Sequence, residues 1–204
     1  LIRRNLEHLI EMIGATEGVE DISLTTNGSM LTADRAVSLR QAGLKRLTIS
    51  LDALDDATFK SINDVDYPAS RVLDGINNAR AAGFSDIKVN AVVRRGLNEH
   101  AVLDLAKHFR HSGCIVRFIE YMDVGETNGW NLDDVIPAAD LVDRIDALYP
   151  LEAVSPNYPG EVAKRWRYRD GAGEIGFITS VTQSFCGDCS RARLSAVGEL
   201  YTCL

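Results

Sequence analysis

This 204-residue chain has no apolar run longer than a few residues, and no basic segment followed by an apolar one opens it. The first absence excludes a membrane-spanning helix within these residues, and with no leader-like segment among them the expected location is cytoplasmic. Basic residues are scarce: 22 Lys and Arg stand against 29 Asp and Glu, a formal charge of -7. That balance argues against duplex nucleic acid, while a small anion held by a few local arginines stays open. Cysteine is too rare, at four residues, for a disulfide-stapled scaffold. With 46% hydrophobic and 25% charged residues, the composition is that of a globular protein with a substantial core. The sequence runs from Leu1 to Leu204, one residue past a cysteine, and both ends are expected to continue into a longer protein.

Residues 3–122 repeat one theme. Arg4 to Thr16 places Leu6, Leu9, Ile10 and Ile13 on one helical face, and Ile22 and Leu24 then begin a strand that stops at Thr25-Thr26-Asn27-Gly28. Thr32 reads as the N-cap of a helix through Ala36 and Leu39 to Gly43, followed by a strand alternating Leu47, Ile49 and Leu51 with Thr48, Ser50 and Asp52. Val72, Ile76 and Ala79 mark a helix closed by Gly83, and Ile87 to Val93 alternates as the next strand. Asn98 is expected to cap a helix through Val102, Leu105, Ala106 and Phe109 to Gly113, ahead of a strand from Ile115 to Met122. Helix, glycine, a few residues and strand is the pattern of parallel strands joined by right-handed crossovers.

A doubly wound sheet and a barrel share that period. Two features favour the barrel: no Gly-x-Gly-x-x-Gly follows a strand, and polar residues (Thr26, Ser50, Asp52, Lys88, Asn90, Glu120) recur toward the strands' C-terminal ends. Four such strands are too few to close one, which implies missing N-terminal units. Beyond Trp130 the character changes: Pro137 to Tyr149 reads as a helix, and Pro150, Pro156 and Pro159 break the chain. Lys164 to Arg169 and Glu174 to Val181 form a hairpin about Asp170-Gly171-Ala172-Gly173, expected as a small antiparallel layer across one end of the body. The expected division is therefore 1–130 and 131–204.

Three of the four cysteines, Cys186, Cys189 and Cys203, fall in the last nineteen residues. A Cys-x-x-Cys turn lets two thiolates meet one metal, and a third cysteine arriving after a hairpin completes a three-thiolate set. Spacing alone leaves a zinc ribbon, a redox pair and a three-cysteine iron–sulfur site open. Cys114, just inside a strand, reads as a buried apolar residue. Arg191 and Arg193 project to one side behind the motif, as a bidentate anion seat or a solvated pair. Lys88 is either an anion-binding or Schiff-base lysine or a rim lysine reaching solvent. Arg165, Arg167 and Arg169 alternate with Trp166 and Tyr168, which suits a half-buried strand better than a single-strand stacking platform. His8, His100, His108 and His111 fall on predicted helices and assemble with no other ligand.

Taken in order, Thr25-Thr26-Asn27-Gly28, Ser50-Leu51-Asp52-Ala53, Lys88-Val89-Asn90-Ala91-Val92, Arg117-Phe118-Ile119-Glu120-Tyr121-Met122 and Phe185-Cys186-x-x-Cys189-Ser190-Arg191-Ala192-Arg193-Leu194 with Cys203 resemble the GTP 3′,8-cyclase family of radical S-adenosylmethionine (SAM) proteins. The resemblance implies an α/β fold, a partial (β/α)6 TIM-type barrel, with a small C-terminal antiparallel layer carrying the three-cysteine metal site. It implies two [4Fe–4S] clusters: an N-terminal one that binds and cleaves SAM, and one on Cys186, Cys189 and Cys203 with an iron open to guanine. The 5′-deoxyadenosyl radical would take the ribose 3′ hydrogen of GTP, and the sugar radical would attack C8, the first step of molybdenum cofactor synthesis. By the same resemblance Ser50 and Met122 contact SAM, and Thr26, Lys88, Arg191 and Arg193 contact GTP. A homodimer is implied, as is a downstream partner, cyclic pyranopterin monophosphate synthase.

The sequence departs from the family in three segments and at three positions. The Cys-x-x-x-Cys-x-x-Cys loop and the Gly-Gly-Glu-Pro segment are absent, and so is the glycine-rich tail. Ser190 and Ala192 replace the more usual Asn and Leu, and Asp123 stands where Pro is common. SAM cleavage by these 204 residues alone is accordingly not expected. Two other readings compete: an aldolase-like barrel using Lys88, and a non-catalytic zinc-ribbon module binding through Arg165, Arg167 and Arg169.

Overall fold

Two helices end as their glycines dictate. After the second and fourth helices, Gly43 (φ +103°) and Gly83 (φ +90°) take the left-handed conformation. Their N–H groups donate to Arg40 and Arg80 carbonyls, and the Leu44 and Phe84 N–H groups reach back to Leu39 and Ala79. This paired closure satisfies orphan carbonyls and turns Leu44 and Phe84 into the core. The third expected stop differs: the fifth helix ends at Phe109, with His111 (φ +60°) and Gly113 (φ +79°) both left-handed beyond it.

The computed structural model describes residues 1, 3–123, 129–189 and 191–202. Its elements are α1 (Leu6–Gly14), β1 (Ser23–Thr26), α2 (Ala33–Gln41), β2 (Arg46–Ser50), α3 (Asp56–Asn63), α4 (Ala69–Ala81), β3 (Ile87–Val93), α5 (Ala101–Phe109), β4 (Ile115–Glu120), α6 (Ala138–Asp146), β5 (Leu151–Val154), β6 (Lys164–Tyr168), β7 (Glu174–Ile178), β8 (Arg193–Leu194) and β9 (Leu200–Tyr201). Thr32 caps α2 as expected, accepting from the Arg35 N–H at 3.3 Å. Helix α3 is not among the elements expected from sequence; Asp55 caps it, accepting from the Thr58 N–H at 2.8 Å. Asn98 does not cap α5. It is buried as a strut, accepting from the Arg94 N–H and donating to the Asp52 and Val92 carbonyls.

Seven strands form one sheet in the order β1-β2-β3-β4-β7-β6-β5. The first five in that order run parallel, and β6 and β5 add antiparallel. The architecture is thus α/β with a mostly parallel central sheet. The hairpin expected as a layer across one end instead extends this sheet, because β7 pairs with β4 in register Val116↔Ile175 and Phe118↔Phe177. A separate two-stranded ribbon, β8-β9, follows the cysteine turn.

Register divides the sheet into two faces. Leu47 and Ile49, Val89 and Ala91, Val116 and Phe118, and Ile175 and Phe177 lie side by side and share one core with Leu39 of α2, Ile76 of α4 and Leu105 of α5. The second face carries Thr48, Lys88, Asn90, Arg117 and Gly176. Gly28 lies in the loop after β1, where a Cβ would come within 2.9 Å of Ile49 Cγ2, and a Cβ on Gly75 of α4 would meet the Gly28 carbonyl oxygen at 2.5 Å. These two glycines let α4 clasp the β1-α2 loop, and Asn78 Nδ2 donates to the Leu31 carbonyl there.

Candidate functional site

The polar residues expected as one set along the strand ends separate by face and height. Lys88 is the second residue of β3, level with Ile115 at the start of β4, so it sits at the N-terminal rather than the C-terminal end of its strand. Alternation in sequence reports the face of a side chain and not its height. Thr26 pairs with Ile49 on the helix-covered face, and its hydroxyl accepts from the Gly28 N–H at 3.1 Å. Glu120 also lies on the covered face, whereas Ser50 pairs with Asn90 on the second.

Lys88 shares a cavity of about 150 Å³ with Arg46, Thr48 and Arg117, crossed by the segment carrying Tyr158, Glu161 and Val162. Arg117 organises its floor. Its Nε donates to Asn90 Oδ1 at 2.8 Å and its Nη2 to Thr48 Oγ1 at 3.4 Å, so one guanidinium spans three strands. Burial pulls its pKa below the usual arginine value. Gly176 is its register partner on β7, where a Cβ would stand 3.1 Å from Arg117 Cγ. Lys88 Nζ is 3.7 Å from an Asp86 carboxylate oxygen. Arg117 is a residue that sequence reasoning misses; the available signal is a charge between apolar neighbours, Val116 and Phe118, in mid-strand.

A second cavity, of about 880 Å³, is lined by Met122, Cys186, Cys189, Arg191 and Arg193. That volume is in the range of small-molecule sites. Val162 lines both cavities. The cysteines flank a 3-10 turn, Cys186–Asp188, closed by the Cys189 N–H donating to the Cys186 carbonyl at 3.3 Å. Arg191 Nε donates to Cys189 Sγ at 3.2 Å, and its guanidinium lies 5.0 Å from the Phe185 ring centre. Hydrogen bonds from the Arg191 backbone and side chain hold the Cys189 thiol below its ordinary pKa, as suits a metal-ligating thiolate. Both cysteines are free and exposed. Their donor type and shared cavity wall therefore fit a thiolate-held iron–sulfur group. The third expected ligand, Cys203, lies outside the described residues. Among the described residues no group of three or more His, Cys, Asp or Glu side chains forms a metal site.

The structure thus brings together five of the expected residues around one cavity and places Lys88 in the adjoining one; Thr26 and Ser50 line neither. Cys114 is buried, and burial raises its pKa, as expected of a structural thiol. The basic residues of β6 are committed: Arg165 to Glu174, Arg167 to Glu152, and Arg169 to the Leu151 carbonyl. Among the described residues no helix is long and apolar enough to cross a membrane.

The family model for the Radical SAM superfamily matches residues 1–109, and that for Molybdenum Cofactor Synthesis C matches residues 114–204. The chain belongs to the radical SAM superfamily, whose chemistry uses SAM and a [4Fe–4S] cluster. Across all 204 residues it is 54% identical to GTP 3′,8-cyclase of Acidothermus cellulolyticus, covering 56% of that protein. It is 54% identical to the enzyme of that name from Xanthomonas axonopodis pv. citri and 43% identical to that from Staphylococcus epidermidis, covering 61% and 59% of them. The chain therefore spans less than two thirds of these relatives. A crystal structure of a domain of pyruvate-formate lyase-activating enzyme from Bacteroides vulgatus shares the fold at a TM-score of 0.51 and 16% identity, over 70% of this chain and 84% of that one.

Proposed function

We propose that this chain is the central part of a GTP 3′,8-cyclase, which converts GTP to (8S)-3′,8-cyclo-7,8-dihydroguanosine 5′-triphosphate in molybdenum cofactor synthesis. The observation that carries this reading is the 880 Å³ cavity in which Cys186 and Cys189 face Met122, Arg191 and Arg193. Relatives of that name at 43–54% identity along the whole chain support it. In this reading the sheet is part of a (β/α)6 barrel whose lumen is the polar face, with residues 1–130 as barrel and 131–204 as the cluster- and substrate-binding region. The whole protein carries two [4Fe–4S] clusters, works as a cytoplasmic homodimer and passes its product to cyclic pyranopterin monophosphate synthase.

Cys186, Cys189 and Cys203 would hold the substrate-side cluster, which supplies an iron with an open coordination position for a purine. Arg191 and Arg193 offer guanidinium forks to GTP beside that cluster. Lys88 and Arg117, on the floor of the adjoining cavity, supply charge for the phosphates, with Arg117 held in place by Asn90 and Thr48. Ser50 and Met122 are assigned to SAM, and Thr26 to GTP from the β1 end.

The test is iron and sulfide analysis with electron paramagnetic resonance on anaerobically reconstituted protein and on a Cys186→Ala, Cys189→Ala variant. The expected result is about four irons and four sulfides per substrate-side site, lost in the variant, with a spectrum perturbed by GTP. One tightly held zinc without labile sulfide would overturn the reading in favour of a ribbon-like module.

A further inference from the structure

Glu120, the last residue of β4, is 1% exposed and accepts four hydrogen bonds from two separate parts of the chain. Its Oε1 accepts from the Ala138 N–H at 3.0 Å and from the Thr182 hydroxyl at 2.5 Å. Its Oε2 accepts from the N–H groups of Val181 at 2.9 Å and Thr182 at 2.8 Å. Ala138 opens α6, whose own N-cap, Pro137, supplies no side-chain bond. Val181 and Thr182 belong to the stretch that leads from β7 to the cysteine turn. Burial alone would raise the pKa of this carboxyl; the four donors more than offset it and hold the pKa below the ordinary value. Thr179 Oγ1 donates to the Gln183 carbonyl at 2.8 Å and tightens the same stretch.

Both walls of the large cavity start from this carboxylate. Two residues beyond Glu120 the chain reaches Met122, and four residues beyond Thr182 it reaches Cys186; both line the cavity. We propose that Glu120 is a positioning residue for the substrate-side site, setting the cysteine turn against the tip of β4 and so fixing how far Cys186 and Cys189 stand from Met122. The role rests on the cyclase reading of that cavity. A side chain without charge does not replace it. Glutamine would turn an NH2 toward N–H donors, and alanine would leave three N–H groups, that of Ala138 buried and those of Val181 and Thr182 partly so, without their acceptor.

The experiment compares Glu120→Gln, Glu120→Ala and Thr182→Val with Phe118→Leu, which loosens the same strand from within the core and contributes nothing to the cavity. Each is reconstituted anaerobically, and thermal midpoint, iron content, GTP affinity and the GTP-induced change in the paramagnetic spectrum are measured. Both Glu120 variants should bind GTP at least about tenfold more weakly and lose the spectral change. Thr182→Val, which removes a single donor, should bind GTP about threefold more weakly. Phe118→Leu should keep affinity and spectrum at an equal or larger fall in midpoint. Wild-type GTP affinity in the Glu120 variants, or an equal loss in Phe118→Leu, overturns the proposal. If the Glu120 variants do not fold, unchanged GTP binding in Thr182→Val overturns it. Wild-type protein that takes up no iron and binds no GTP would instead overturn the cyclase reading itself.

Discussion

On one face of the sheet Ile49, Val89, Phe118 and Phe177 are buried in the core, while on the other Thr48, Asn90 and Arg117 hold one another by hydrogen bonds beside a cavity. Both faces come from the same strands, and one residue step moves a side chain from one to the other. Burial of apolar area stabilises the first face, and it needs only shape. The second gains little stability from its polar groups and needs position, since a guanidinium serves an anion only when its fork is fixed. Folding and chemistry are thus assigned to alternate residues, and Glu120 is where they meet: a covered-face position whose carboxylate orders the approach to the cysteines.

The separation of roles breaks first, if it breaks, at Phe118. Phe118→Ala should cost about 3–5 kcal/mol in chemical denaturation, while GTP affinity per folded molecule stays that of the wild type. A parallel fall in affinity would mean that the faces are not independent. Arg117→Gln sharpens the contrast from the other side. Isothermal titration should show GTP binding weakened about tenfold, or about 1.4 kcal/mol, with unfolding free energy changed by less than about 1 kcal/mol. Gly176→Ala is the smallest change. Its new Cβ would stand 3.1 Å from Arg117 Cγ, so a loss of GTP affinity of about twofold to threefold is expected with less than about 0.5 kcal/mol in stability. Unchanged binding in that variant would show that the Arg117 stem yields without moving its guanidinium.

The parallel body is legible in the sequence because helix period, strand alternation and glycine closures agree at Gly43 and Gly83. Helix α3 is not, since eight residues with one buried side chain, Phe59, give too little periodicity; Asp55 with Thr58 three residues later is its only mark. The hairpin at 164–178 is legible, but its place is not: β4 and β7 pair across more than fifty intervening residues, a fact of register that no local pattern carries. The cysteine turn announces itself by spacing. Arg117 does not, because its meaning comes from Asn90, Thr48 and Gly176, brought to it by three different strands. Thr26 is ambiguous because a four-residue strand leaves its facing undetermined.

The β4-β7 seam also sets an order of assembly. During synthesis β4 leaves the ribosome well before β7, so the β1-β4 layer waits with one side of β4 bare until β7 closes it. The cysteine turn is tied to the tip of β4 through residues 181 and 182, immediately downstream of β7. The position of the cysteine turn relative to β4 is thereby fixed late in the life of the nascent chain, once β7 has closed the seam.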